Sequence, residues 1–152
     1  MQVRVQSEPF EPGEVLSGFA RERTDQGAVV TFTGVVRNVA DGLSIMEIEH
    51  YPGMTERAIT GIVETAMERW SLGDATVIHR YGRLKAGEVI MMVATCAPHR
   101  GDAFAAAEFL MDYLKSRAPF WKKEVTASGE TWVEAKDEDE DALGRWSTSD
   151  QV

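Results

Sequence analysis

The sequence predicts an α+β fold: a mixed or antiparallel sheet with two main helices and a C-terminal hairpin. Three observations carry that expectation. Segments 56–70 and 103–117 repeat apolar residues at helical spacing. Shorter segments rich in β-branched residues lie around them and do not alternate strictly with helices, which favours α+β over a doubly wound sheet. A chain of 152 residues without repeat or linker reads as one domain, 1–136, followed by an acidic and polar tail, 137–152.

Taken in order, Gln2–Gln6 reads as a short edge strand, broken by Pro9 and Pro12-Gly13. Glu14–Arg23 reads as a short helix with Val15, Leu16 and Phe19 on one side. Ala28–Val36 is a β-branched strand in which Gly34 marks a bulge or a close approach. Arg37-Asn38 follow, and the chain turns at Asp41-Gly42. Ser44–Tyr51 alternates, with Met46, Ile48 and His50 on one face and Glu47 and Glu49 on the other. These two strands read as a hairpin with a longer loop. Pro52-Gly53 ends the second, Thr55 reads as an N-cap, and Glu56–Trp70 as a helix with Ile59, Ile62, Val63, Ala66, Met67 and Trp70 on its inner side.

Ala75–Tyr81 and Val89–Ala97 are strands around a turn at Lys85–Glu88, and the second is apolar enough to be buried on both faces. Pro98 closes it. Asp102 reads as the N-cap of a helix over Ala103–Arg117, with Phe104, Ala107, Leu110, Met111 and Leu114 as its apolar stripe. Pro119 stops that helix. Phe120–Thr126 and Glu130–Val133 form a last hairpin around Ser128-Gly129, and Asp137–Asp141 reads as a solvated charge run before a frayed end.

A net charge of −9 opposes non-specific nucleic-acid binding, which needs a basic surface. It also makes any local cluster of Lys and Arg more informative. The single cysteine, Cys96, allows no intrachain disulfide and sits in an apolar strand, which suits a structural role. The N-terminus lacks the apolar core of a signal peptide, and the longest apolar run is too short to span a bilayer, so a cytoplasmic location is expected. The sequence carries no metal signature, no phosphate loop and no nucleophile elbow, and neither metal nor cofactor is expected.

The cations next to structural breaks are the remaining chemistry. Arg37 follows a strand end, His99-Arg100 lie between a buried strand and a helix start, Lys115 lies in that helix's last turn, and Lys122-Lys123 open the next strand. A helix N-terminus assisted by His and Arg suits an anion, and a partly desolvated lysine can serve as acid, base or nucleophile. Each also has a structural reading. Lys115 balances a helix dipole, His99 caps the helix, one of Lys122 and Lys123 points to solvent, His50 packs, and His79 and Arg80 are cross-strand surface partners.

Several segments together resemble the large-subunit family of molybdopterin synthases. They are Gly27–Gly34 running into Val36-Arg37-Asn38, Glu49-His50-Tyr51-Pro52-Gly53-Met54-Thr55-Glu56, His79-Arg80-Tyr81-Gly82, His99-Arg100, and Met111–Glu124 with its lysines around Ala118-Pro119-Phe120-Trp121. They span about residues 10–135, and the last is the most specific. The resemblance implies an α/β-hammerhead-like, dimeric fold and a sulfurtransferase that inserts two sulfurs into cyclic pyranopterin monophosphate, forming the dithiolene of the molybdenum cofactor. It implies a ubiquitin-like small subunit as donor, whose C-terminal Gly-Gly tail carries a thiocarboxylate, within a heterotetramer built on a homodimer. It places catalytic roles on Lys115 and Lys122 and substrate-binding roles on Arg37, His99, Arg100, Lys123 and Lys136. Val35 departs from members that carry lysine there.

Helix geometry adds one expectation. Arg100 and Lys115 flank opposite ends of one helix, and at about 1.5 Å per residue their backbones lie roughly 20 Å apart. One small substrate reaches both only if each comes from a different subunit, so a composite site at a dimer interface is expected. The rival readings are a non-catalytic module that binds a phosphorylated metabolite, and an interaction protein whose groove aromatics are Phe120 and Trp121.

Overall fold

The computed structural model describes residues 1–40, 42–133 and 137–147. The elements run β1 (Gln2–Gln6), α1 (Pro12–Gly18), β2 (Ala28–Val35), β3 (Leu43–His50), α2 (Met54–Arg69), β4 (Asp74–Arg80), β5 (Gly82–Leu84), β6 (Val89–Ala97), α3 (Arg100–Ser116), β7 (Phe120–Thr126), β8 (Gly129–Trp132) and α4 (Asp137–Ser147). The strands form two four-stranded sheets, ordered β1-β4-β6-β2 and β5-β3-β7-β8. Among the described residues, only the β1–β4 pair is parallel.

β6 is the centre of the first sheet and is buried along almost its whole length. Its odd-numbered face, with Met91, Val93 and Ala97, joins the main core, where α2 contributes Ile59, Val63 and Ala66 and α3 contributes Ala103, Ala106, Phe109 and Leu110. Its even-numbered face, with Met92 and Ala94, joins Ile78 of β4 beneath Phe10, Val15 and Phe19 of the α1 segment. Two-sided burial explains why β6 reads as an unbroken apolar run. The Thr95 hydroxyl is buried and donates to the Ala103 carbonyl at 2.8 Å, tying β6 to the helix that follows it.

The structure revises several expectations. β2 and β3 do not form a hairpin: β2 pairs with β6 in the first sheet and β3 with β5 and β7 in the second. After β2 the chain stays bonded to the β5–β6 connection, with Val36 N–H donating to Glu88 O and Gly87 N–H to Val36 O, before crossing between sheets. The helix expected over Glu14–Arg23 begins at Pro12 and ends at Gly18, and Leu16 is exposed. A proline at the first helical position costs no hydrogen bond, which moves the start forward.

α2 is capped by Gly53 rather than Thr55. Gly53 has φ 82°, and its N–H donates to the Glu56 carboxylate at 2.6 Å. Thr55 is buried, and its hydroxyl donates to Tyr51 O at 2.9 Å. α3 begins at Arg100 with His99 as N-cap residue, although the His99 side chain makes no capping hydrogen bond. Asp102 lies in its first turn, where its charge still favours the dipole. Phe104 is 61% exposed, because Ala103, Ala106 and Ala107 instead face inward and let the helix approach the sheet closely.

Within 137–152, read from sequence as an acidic tail, the described part forms α4. This helix docks on α3 through Trp146, whose indole N–H donates to Asp112 at 2.7 Å. The ring meets Trp70 and Phe109 edge-on at 5.5 and 5.6 Å, and the Arg69 guanidinium lies 5.7 Å from its centroid. Arg145 adds ion pairs to Glu108 and Asp112. Trp146 is the aromatic anchor of this docking, beside ion pairs and the Ser116 hydroxyl's bond to the Asp139 carbonyl. Trp146→Ala is expected to lower stability by about 2–4 kcal/mol and to release the amides of α4 in hydrogen exchange while those of β6 stay protected. Unchanged α4 protection would show that the acidic face holds the helix by itself.

Candidate functional site

A pocket of about 490 Å³ opens where the end of β2, the last turns of α3 and one face of β7 converge. Arg37, Lys115 and Lys122 all line it, so three of the cations singled out from sequence come together. Met46, Ile90, Met91, Met111 and Leu114 supply an apolar lining, with Phe32 and Val35 at its rim. Such a pocket, mostly apolar with a few convergent charges, has the form of a small-molecule site.

Local chain geometry makes the convergence. β2 shifts register between Gly34 and Val35, and a Cβ on Gly34 would come within 3.1 Å of the Met91 side chain. The close approach expected at this glycine is present, while the register break beside it places the extra residue, Ile90, on β6; beyond it the chain leads to Arg37. Pro119 ends α3 and starts β7, so Lys115 on the last helical turn and Lys122 on the strand face one space. On β7 the residues alternate. Phe120 packs inward, Lys122 and Glu124 line the pocket, and Trp121 is exposed.

That alternation separates the two neighbouring lysines. Lys123 does not line the pocket. It bridges Glu47 at 3.4 Å and Glu130 at 3.3 Å, and lies 5.3 Å from the Trp132 centroid. Its bonds to Glu130 and then Glu47 hold its pKa above the usual lysine value. In this chain its contacts are cross-strand ion pairs. His99 and Arg100 are also absent from the pocket. Both are exposed and line a second cavity of about 440 Å³ with Gly27, Pro98 and Gly101, at the other end of α3. Lys136 lies outside the described residues.

Two pocket residues went unrecognised in the sequence. Glu124 places a carboxylate among the cations, and its signal was the two-residue alternation from Lys122. His79, read as a surface partner, is only 5% exposed. Its ring stacks on Phe120 at a centroid distance of 3.9 Å and 19°. Its Nδ1 lies 2.7 Å from the Arg80 carbonyl. A carbonyl only accepts, so Nδ1 carries the hydrogen and Nε2 is the bare nitrogen. Burial, and then the nearby charge of Lys122, depress the ring's pKa to about 3. Arg80, also read as a surface residue, is buried and donates to Ser7 O at 2.9 and 3.2 Å, and to Glu88 and Val89. It anchors β4 to the end of β1.

His50 is half-buried, 4.3 Å from the Tyr81 ring, with Nδ1 3.2 Å from the Thr55 hydroxyl, so it packs as the sequence suggested. Cys96 is buried, and desolvation raises its thiol pKa, which disfavours the nucleophilic thiolate. Among the described residues no three His, Cys, Asp or Glu side chains are grouped to hold a metal, and no helix is long and apolar enough to cross a membrane.

The neutral burial of His79 has a measurable consequence. Its folded-state pKa lies below its unfolded one, so its contribution is complete above about pH 6.5 and is lost as pH falls toward 3. Stability is expected to drop by about 1.5 kcal/mol between pH 6.5 and pH 5, a window above most carboxylate titration. Chemical denaturation across that window should show the slope in the wild type and lose it in His79→Gln. A slope that survives the substitution would assign it to another group.

Comparison with known proteins agrees with the fold. The sequence pattern of the MoaE protein family matches residues 5–117. The molybdopterin synthase catalytic subunit of Cereibacter sphaeroides is 66% identical over 146 residues, covering 96% of this chain and 100% of that protein. The Escherichia coli protein of the same name is 50% identical over 147 residues, covering 95% and 97%. Among solved structures, the molybdopterin biosynthesis MoaE protein from Burkholderia ambifaria superposes with a TM-score of 0.80 at 47% identity, covering 96% of this chain and 98% of that one. Molybdopterin synthase from Staphylococcus aureus superposes at 0.79 with 31% identity, covering 86% and 96%. The fold, the extent of the match and the level of identity together show that this chain belongs to the MoaE family of molybdopterin synthase catalytic subunits.

Proposed function

We propose that the chain inserts two sulfurs from a thiocarboxylated small subunit into cyclic pyranopterin monophosphate, forming the molybdopterin dithiolene, with the pocket between α3 and β7 as the reaction site. The observation that carries this reading is the meeting of Arg37, Lys115 and Lys122 around one largely apolar space of about 490 Å³. The substrate and the incoming thiocarboxylate are both anions. Cations in a partly desolvated pocket stabilise such groups more strongly than they would in open water. Opening the cyclic phosphate and adding sulfur to carbon also require proton transfer.

Arg37 at the mouth has the planar donor fork suited to a phosphate. Lys122, half-buried on a rigid strand, polarises the substrate or the thiocarboxylate. Lys115, exposed on the last helical turn, acts as general acid and base or holds the donor's tail covalently. Glu124 beside them is available to balance charge. In a single-turnover assay with the cyclic pyranopterin and a thiocarboxylated small subunit, wild-type chain is expected to give dithiolene product by mass. Lys115→Ala is expected to lower the rate at least about a hundredfold with the fold intact. Bound but unconverted pterin with the wild type would favour a binding module instead.

His99 and Arg100 belong to this reading through a second copy of the chain, in a homodimer within a heterotetramer. Supporting it, they line a separate cavity at the far end of α3. β2 is also a sheet edge with Val29, Phe32 and Val35 between 43% and 52% exposed, a surface suited to a partner. Arg100→Ala and Lys115→Ala chains, each impaired alone, are expected to recover part of the activity when mixed under subunit exchange, because one site in the mixed dimer keeps both groups. Exchange without recovery would place both groups in one protomer's chemistry.

A further inference from the structure

The catalytic reading above uses Lys122 but gives no account of the buried imidazole beside it. Three features single out His79. Its ring cannot turn freely, because Phe120 stacks on one face at 3.9 Å and Nδ1 is held by the Arg80 carbonyl at 2.7 Å. The Nδ1 bond fixes the tautomer and leaves Nε2 as a bare acceptor. The ring lines the same pocket as Lys122, close enough for the lysine's charge to oppose its protonation.

We propose that His79 is a positioning residue whose Nε2 accepts a hydrogen bond from the Lys122 ammonium and holds that lysine toward the inner wall of the pocket. A strand lysine has a long flexible stem, and ordering it costs up to about 2 kcal/mol of side-chain entropy. A fixed acceptor on a rigid neighbouring sheet offsets that cost before substrate arrives. The neutrality of the ring is what makes it suitable: an imidazolium would repel the lysine, and burial keeps the ring uncharged across the physiological range. The other charged or titratable groups around it come from separate elements. His50 lies on β3, Lys115 on α3 and Glu124 on β7, while the Arg80 side chain is occupied with Ser7, Glu88 and Val89. Lys122 comes from β7 of the second sheet and His79 from β4 of the first, so the two are distant in sequence and meet at one pocket only in the fold.

The role rests on Lys122 being a reactive lysine, but its test does not. In the full chain, ¹³C-labelled lysine ε-carbons can be titrated by NMR, with the Lys122 signal assigned by its loss in Lys122→Gln. His79→Asn keeps a donor near Nδ1 but removes the acceptor. It is expected to lower the Lys122 pKa by about half a unit or more, and His79→Gln, which can place an amide oxygen near Nε2, to restore it. Turnover should follow: kcat down about tenfold in His79→Asn with KM little changed, and recovery in His79→Gln. Identical Lys122 titration in wild type and His79→Asn would overturn the proposal. A second measurement needs no His79 variant: the imidazole ¹⁵N signal of Nε2 should report an accepted hydrogen bond in wild type and change in Lys122→Gln, and an indifferent signal would also overturn it. If Lys122→Gln turns over normally, the catalytic reading of Lys122 fails while the two NMR measurements still decide the contact.

Discussion

The site depends on the two-sided burial of β6. Because this strand is covered by α2 and α3 on one face and by the α1 segment on the other, it can be almost wholly apolar and rigid. It pairs with β2 on one side and β4 on the other, which fixes Arg37 at the end of the first and His79 near the end of the second. It then runs through Pro98 into α3, and the Thr95–Ala103 hydrogen bond locks that junction. The position of Lys115, a full helix length away, is therefore set by the same strand. A lesion in β6 would move all three groups together.

The pocket's electrostatics gain force from the chain around it. With a formal charge of −9, much of the surface is acidic, and the cations at the pocket are a local exception. Several other lysines and arginines are committed elsewhere. Lys123 is tied to Glu47 and Glu130, Arg117 to Glu140, Arg145 to Glu108 and Asp112, and Arg80 to backbone carbonyls and Glu88. Distributing structural ion pairs over the surface while leaving Arg37 and Lys115 at the pocket concentrates attraction where a negatively charged ligand has to bind. Surface pairs of this kind contribute little stability, so their effect is mainly on where charge is left available.

Long elements were legible in the sequence where one physical rule dominated. β6 declared itself by unbroken hydrophobicity and α2 by its helical period, and Gly34 by the absence of a side chain in a crowded strand. Failures occurred where the deciding contact lies far along the chain. Nothing local in β2 or β3 states that they belong to different sheets. The loop between them has hairpin character, and only the competing partners β6 and β7 settle the pairing. Phe104 was placed inside because hydrophobicity ranks phenylalanine above alanine, but close helix–sheet approach selects the smaller residue. His79 looked polar at a strand end, and its stacking partner Phe120 is contributed by β7, beyond β6 and α3. The cations were found, but which of two adjacent lysines faces the pocket depends on strand register, which composition does not encode.

The length of α3 gives the site its remaining constraint. The helix has 17 residues, so the cavity at its start and the pocket at its end are separated by roughly 25 Å at the usual rise per residue. A monophosphate pterin is far shorter than that. Under the proposed function, His99 and Arg100 can therefore serve the substrate held at Lys115 and Lys122 only by arriving from another molecule. In that reading, a rigid helix carrying one half-site at each end would make dimerisation a condition for activity. It keeps the two clusters of positive charge apart in the monomer, where their mutual repulsion would otherwise oppose folding. Under the same proposal, association would bring them together at an interface, where the negative charge of the substrate would offset that repulsion.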